Sequence, residues 1–142
     1  MTVEDNGMRE AVIRTIAMPS DTNPAGDIFG GWLMSQMDLA AGNAAARRAR
    51  GRCVTVAVDG MVFHTPVHVG DEVSVYADLI STGRTSMKFQ VEAWRCSRDV
   101  DEQIKVTEAV SAFAVIDSGS RPRPLPRVEF VDHSLKVCCV SN

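Results

Sequence analysis

GGWLMSQMDLAAGNAAARRAR, residues 30–50, is the stretch that decides the fold. It contains no proline and is rich in Ala, Leu and Met, which favour a helix. Leu33, Met37, Ala40, Ala41, Ala44 and Ala45 recur at helical spacing and define one apolar stripe. Arg47, Arg48 and Arg50 crowd the far end, where cations suit the helix dipole. Gly51 is the expected stop. Gly42 inside the helix costs about 1 kcal/mol against Ala, so a close neighbour is expected there.

On either side the pattern changes. VIRTIA, residues 12–17, is a short β-branched run that predicts a strand, and PSDTNPAG, residues 19–26, is dense in turn formers and predicts a loop. CVTVAVDGMVF, residues 53–63, is almost continuously apolar, as for a strand covered on both faces. Gly70-Asp71 and Gly83-Arg84 mark turns. Between them Val73, Val75, Ala77 and Leu79 alternate with more polar neighbours, and Met87, Phe89, Val91 and Ala93 do so after them. Residues 105–116 form a last long strand, and RPRPLPR, residues 121–127, runs over the surface because its prolines cannot enter a sheet interior.

One long helix followed by a run of antiparallel strands is an α+β arrangement. A single sheet curled around the helix buries both apolar surfaces. The sheet's other apolar face is then left over, which predicts association with further copies.

The 142 residues fit one domain, and a 45% apolar fraction allows a real core. Net charge of −3 provides no overall basic field for nucleic acid. The N-terminus has no apolar signal segment, and no run reaches the ~18 apolar residues of a membrane helix, so a cytoplasmic protein without membrane attachment is expected. Cys53, Cys96, Cys138 and Cys139 form no CxxC pair and are read as reduced thiols. Serine-elbow, zinc-protease and nucleotide-loop motifs are absent, and His64, His68 and His133 are not at metal-ligand spacing, so no metal is expected.

What remains is the segment from Asn23 through Asp38. Gly30 and Gly31 open the helix, leaving bare backbone N–H groups at its positive end, a suitable place for a carbonyl oxygen gaining charge. Close strand-to-helix packing is the other use of such a glycine pair. Asp38 flanks the apolar stripe two turns on, either as a partly exposed edge residue or as a reactive carboxylate. Asp27 is the rival carboxylate, better suited to capping or loop support.

The chain resembles hotdog-fold acyl-CoA thioesterases of the bacterial YciA type over residues 10–127. The resemblance is carried by Met18–Asn23, Gly26–Trp32, Met34–Asp38, Val54–Asp59, Gly83–Ser86 and Lys105–Ala109. It implies a curved antiparallel sheet of about five to six strands wrapped around one helix, with tails at residues 1–9 and 128–142. It implies hydrolysis of acyl-CoA with no cofactor beyond the CoA of the substrate. Asp38 is then the catalytic carboxylate, Asn23 a catalytic amide, and Gly30 the donor to the thioester carbonyl. Asp38 and Asn23 come from opposite domains of a pair, and three pairs form a homohexamer.

For the substrate, Gly31 lies beside the carbonyl, and the CoA arm runs along His64 and Thr65. Arg84, Thr85, Ser86 and Lys88 offer two cations and two hydroxyls to its phosphates. The acyl chain is expected beside the helix, against Leu33, Met34 or Met37. Two other readings stay open: acyl-thioester hydration or dehydration, and a non-catalytic acyl-CoA sensor. Hydration usually wants a His with the carboxylate, and Phe29 occupies the natural place for one.

Overall fold

A computed structural model describes residues 9–127; both expected tails otherwise lie outside them, including Cys138 and Cys139. Helix α1, Gly30–Ala49, buries Leu33, Met37, Ala40, Ala41, Ala45 and Ala49. Four of those six are alanines, so the helix axis can lie close against the sheet. The chain leaves the helix at Arg50, which adopts the left-handed conformation (φ 56°), not at Gly51. Gly51 serves another purpose. A Cβ there would collide with the Arg123 guanidinium, whose Nη2 donates to the Ala49 carbonyl at 2.8 Å. A cation thus satisfies a carbonyl at the helix's negative end. Arg48 donates to the Pro126 carbonyl at 3.0 Å, so the proline-rich segment closes over this end of the helix.

Gly42 has no tight neighbour. A Cβ there would meet only the edge of Phe113, at an ordinary 3.9 Å.

The strands are β1 (Ile13–Ile16), β2 (Cys53–Asp59), β3 (Glu72–Thr82), β4 (Ser86–Cys96) and β5 (Ile104–Val115). They form one antiparallel sheet in the order β1-β3-β4-β5-β2. Alternation along β3, β4 and β5 sends Val73, Val75, Met87, Phe89, Val91, Phe113 and Val115 into the core against α1. Phe89 and Phe113 meet edge to face, 5.9 Å between ring centres. This five-stranded sheet curled around one helix is the expected hotdog arrangement.

Two expectations about the sheet need correction. Its far face is apolar only in part: Val54, Val110, Ala112 and Ala114 lie on it along β2 and β5, while ion pairs gather around Glu92. Arg9 pairs with Asp78 at 3.0 Å and with Glu92 at 3.2 Å, and Lys105 pairs with Glu108 at 2.9 Å. The Trp94 indole N–H also donates to Glu92 at 3.0 Å. Long side chains on alternate positions of β3, β4 and the start of β5 thus cover that part of the face with ion pairs.

The second correction concerns β2. It ends at Asp59, before Gly60 at a φ of 73°, and it is an edge strand covered on neither face as fully as a parallel core strand would be. Val54, Val56 and Val58 are exposed. Apolar residues there signal removal from water, but none of the described residues supplies the cover.

Candidate active site

The loop before α1 is built around Asn23. Its side-chain Oδ1 accepts from the backbone N–H groups of Ala25 and Asp27, each at 3.0 Å. Its own N–H donates to the Asp27 carbonyl at 2.8 Å. A bridge between Thr22 and Ile28 closes the loop and feeds the chain into the helix at Phe29. No side chain caps α1, so Asp27 is not a helix cap; it supports the loop through its backbone. The N–H groups of Gly30 and Gly31 precede the first helical hydrogen bonds, which run from Trp32 and Leu33 to the Phe29 carbonyl.

The segment after β2 passes directly over this helix start. The His64 N–H donates to the Val106 carbonyl at 2.8 Å, and the Thr107 hydroxyl donates to the Val62 carbonyl at 2.6 Å. These bonds lay Phe63 on Gly30: a Cβ on Gly30 would stand 3.2 Å from the phenyl ring. Gly30 therefore lets the ring pack closely on the helix start, and the two uses of the glycine pair are compatible. Between the helix start and this segment lies a pocket of about 200 Å³, lined in part by Phe29, Gly30, Leu33, Phe63 and Val106. Thr65 also lines it, with its hydroxyl directed to the Lys105 carbonyl at 3.4 Å. His64 is exposed beside it.

Asp38 lies on the side of α1 that faces β2. The Thr55 hydroxyl donates to Asp38 Oδ1 at 2.7 Å. Thr55 pairs with Phe113 in the sheet, which turns its side chain to the helix face of β2. Thr55 was not among the residues expected at the site; its one signal is a hydroxyl in a strand of Val and Ala. Asp38 is exposed, with Met34 and Leu39 exposed alongside it and Val54, Val56 and Val58 on the neighbouring edge. The carboxylate end of the site thus opens onto exposed apolar side chains.

Cys53, on the same strand, is not activated toward its thiolate. Burial pushes its thiol above the usual cysteine range, only partly countered by the charge of Arg123. Among the described residues no group of three or more His, Cys, Asp and Glu could hold a metal, and no helix is long and apolar enough to cross a membrane.

One chain does not bring all the expected site residues together. Gly30 and Asp38 are eight residues apart on one helix, about 12 Å of rise, beyond shared reach of one carbon atom. Arg84 and Thr85 form the turn between β3 and β4, while Ser86 and Lys88 already belong to β4. The Leu125 N–H donates to the Arg84 carbonyl at 3.0 Å, and the same segment caps the end of α1. This turn therefore sits at the opposite end of the helix from Gly30.

The family model of the thioesterase superfamily matches residues 25–101. The acyl-CoA thioester hydrolase YciA of Salmonella typhimurium is 48% identical over 130 residues, 89% of this chain and 98% of that one. A hexameric thioesterase from Yersinia pestis has 48% identity and a TM-score of 0.79, over 84% of this chain and 98% of that one. A hexameric broad-specificity acyl-coenzyme A thioesterase has 48% identity and a TM-score of 0.78, over 82% of this chain and 81% of that one.

Proposed function

The chain belongs to the thioesterase superfamily, and from that premise we propose that it hydrolyses acyl-CoA thioesters to free CoA and a carboxylic acid in a site shared by two subunits. One observation carries the reading. The Asp38–Thr55 pair opens onto the exposed β2 edge, while the bare amides of Gly30 and Gly31 lie about 12 Å away on the same helix. A second copy set against β2 removes the mismatch: its Gly30 and Asn23 meet Asp38 across the interface. The apolar side chains of that edge are then covered, and its unpaired backbone gains partners. A closed trimer of such pairs gives the hexamer found among the relatives.

The chemistry needs no serine or cysteine. The Gly30 N–H of one subunit holds the thioester oxygen as it gains negative charge. Asp38 of the other takes a proton from water, and the hydroxide adds to the carbonyl carbon. Collapse of the adduct breaks the C–S bond, and the proton held by Asp38 passes to the leaving sulfur. Alternatively the Asp38 carboxylate itself adds and expels the CoA thiolate, giving a mixed anhydride; water then opens it to the acid and free Asp38, and the proton released goes to the thiolate. Asn23 already holds the helix entry rigid through its Oδ1, and its amide nitrogen is the group that would reach the partner's site.

Exposed His64 flanks the path of the CoA arm, whose thioester end reaches Thr65 at the pocket wall, and Gly31 offers a second amide. From Asp38 to the end of α1 is about 17 Å, so the Arg84–Lys88 turn of the Asp38 subunit lies a pantetheine's length from the shared site. No cofactor other than the CoA of the substrate is proposed, and the reaction is placed in the cytoplasm.

The test is release of free thiol from short-chain and long-chain acyl-CoAs. The expected result is release that falls about 10²–10⁴-fold in Asp38→Asn. Undiminished release in that variant overturns the role of Asp38. Binding without thiol release would favour a sensor, and formation of an enoyl product a hydratase.

A further inference from the structure

The pocket at the helix start has a mouth and a floor of different character. Phe29 and Phe63 at its mouth are 42% and 44% exposed, whereas Leu33, Val67 and Val106 beneath them are buried. Its volume, about 200 Å³, is below the ~300–1,000 Å³ of sites that engulf a drug-sized ligand. It can hold one segment of an acyl-CoA, not the whole molecule.

Two segments flank the thioester bond. The pantetheine arm carries two amides, and amides buried without partners are costly. The pocket has little to offer them. The Thr65 hydroxyl is directed to the Lys105 carbonyl, and the adjacent His64 N–H is committed to the Val106 carbonyl. An alkyl chain needs no such partners. Among the described residues no cationic side chain lines the pocket, so a chain ending in a carboxylate would be buried unpaired.

We propose that this pocket holds the acyl chain, entering between Phe29 and Phe63 with its carbonyl at Gly30 and ending on Val67 and Val106. It selects unsubstituted alkyl groups over carboxylate-ended ones, and its floor limits their length. Phe63, packed on Gly30, sets the width at the carbonyl end. The proposal rests on the thioesterase reading above.

The experiment compares kcat/KM for acetyl-, butyryl-, octanoyl-, lauroyl- and succinyl-CoA, by thiol release, in the parent, Val106→Phe and Phe63→Ala. The parent is expected to prefer butyryl- over succinyl-CoA, of equal carbon count, by at least tenfold. Filling the floor with Val106→Phe should lower the octanoyl-to-acetyl ratio about tenfold, as for loss of pocket room for a methylene or two. Opening the mouth with Phe63→Ala should raise the lauroyl-to-butyryl ratio. If Val106→Phe does not fold, the exposed Phe63 position decides alone. Equal use of butyryl- and succinyl-CoA, or unmoved ratios in the folded variants, overturns the proposal while leaving the thioesterase reading intact. No thiol release from any of the five substrates overturns that reading and the proposal with it.

Discussion

The Thr55 hydroxyl donates to Asp38 Oδ1 at 2.7 Å, joining the helix to the edge strand at the one carboxylate on the β2 side of α1. A hydrogen bond to a charged group is stronger than a neutral one, and this one fixes which way the carboxylate points. Thr55→Val keeps the shape and removes the donor. The expected outcome is a kcat about tenfold lower with KM little changed, since a correctly aimed carboxylate matters to the reacting water more than to substrate binding. Thr55→Ser should restore most of the loss. A Val variant as fast as the parent would remove Thr55 from the mechanism.

Subunit mixing tests the shared site. Asn23→Ala and Asp38→Asn subunits, each nearly inactive alone, are coexpressed. Random pairing makes half of the dimers mixed, and each mixed dimer keeps one intact site of two. Activity near a quarter of the parent's is therefore expected, about 25%. A mixture no more active than the two separate variants would place Asn23 and Asp38 in the same subunit's site.

The long helix was legible because its signal is local: no proline, and an Ala, Leu and Met stripe at helical spacing. β4 was legible for the same reason, since Met87, Phe89, Val91 and Ala93 alternate without interruption. The misreadings share a cause. Apolar residues along β2 report that water is excluded, not which molecule excludes it, so an edge strand reads like a core strand. Gly51 reads as a helix stop, but its purpose is set by Arg123, which arrives from the far end of the domain. The Asp38–Thr55 pair depends on the β2–β5 register, which no local pattern encodes. Asp38 and Gly30 could be read from sequence only by resemblance, because nothing in the local pattern says what faces either of them.

Gly42 offers a test of the helix itself. Its position is helical, and a Cβ would make only ordinary contact with Phe113. Gly42→Ala removes the entropy that glycine loses on folding without forcing a neighbour to move. The expected gain is about 0.5–1 kcal/mol, read as a higher denaturant midpoint at unchanged slope. A loss of stability would mean that Phe113 cannot accommodate the methyl group.

The ion pairs on the far face of the sheet predict how stability depends on pH. Burial pushes the Glu92 carboxyl up, but the Trp94 N–H, the Lys105 charge and the Arg9 guanidinium together hold it below the usual carboxylate range. The unfolded chain therefore takes up this proton first as the pH falls. Glu92 contributes its full stabilisation above the ordinary glutamate value, and that contribution is lost as the pH drops through its lowered one. Lys105 works in the opposite direction. The Glu108 hydrogen bond raises it most, burial opposes, and Glu92 adds to the rise. Its contribution is present below the ordinary lysine value and lost only as the pH rises through its raised one. Glu92→Gln removes the acid-side dependence. The variant's thermal midpoint should lie below the parent's at neutral pH, and the gap should narrow as both are acidified below the ordinary glutamate range. Curves that run parallel from neutral to acid pH would show that Glu92 gains nothing from its neighbours in the folded state.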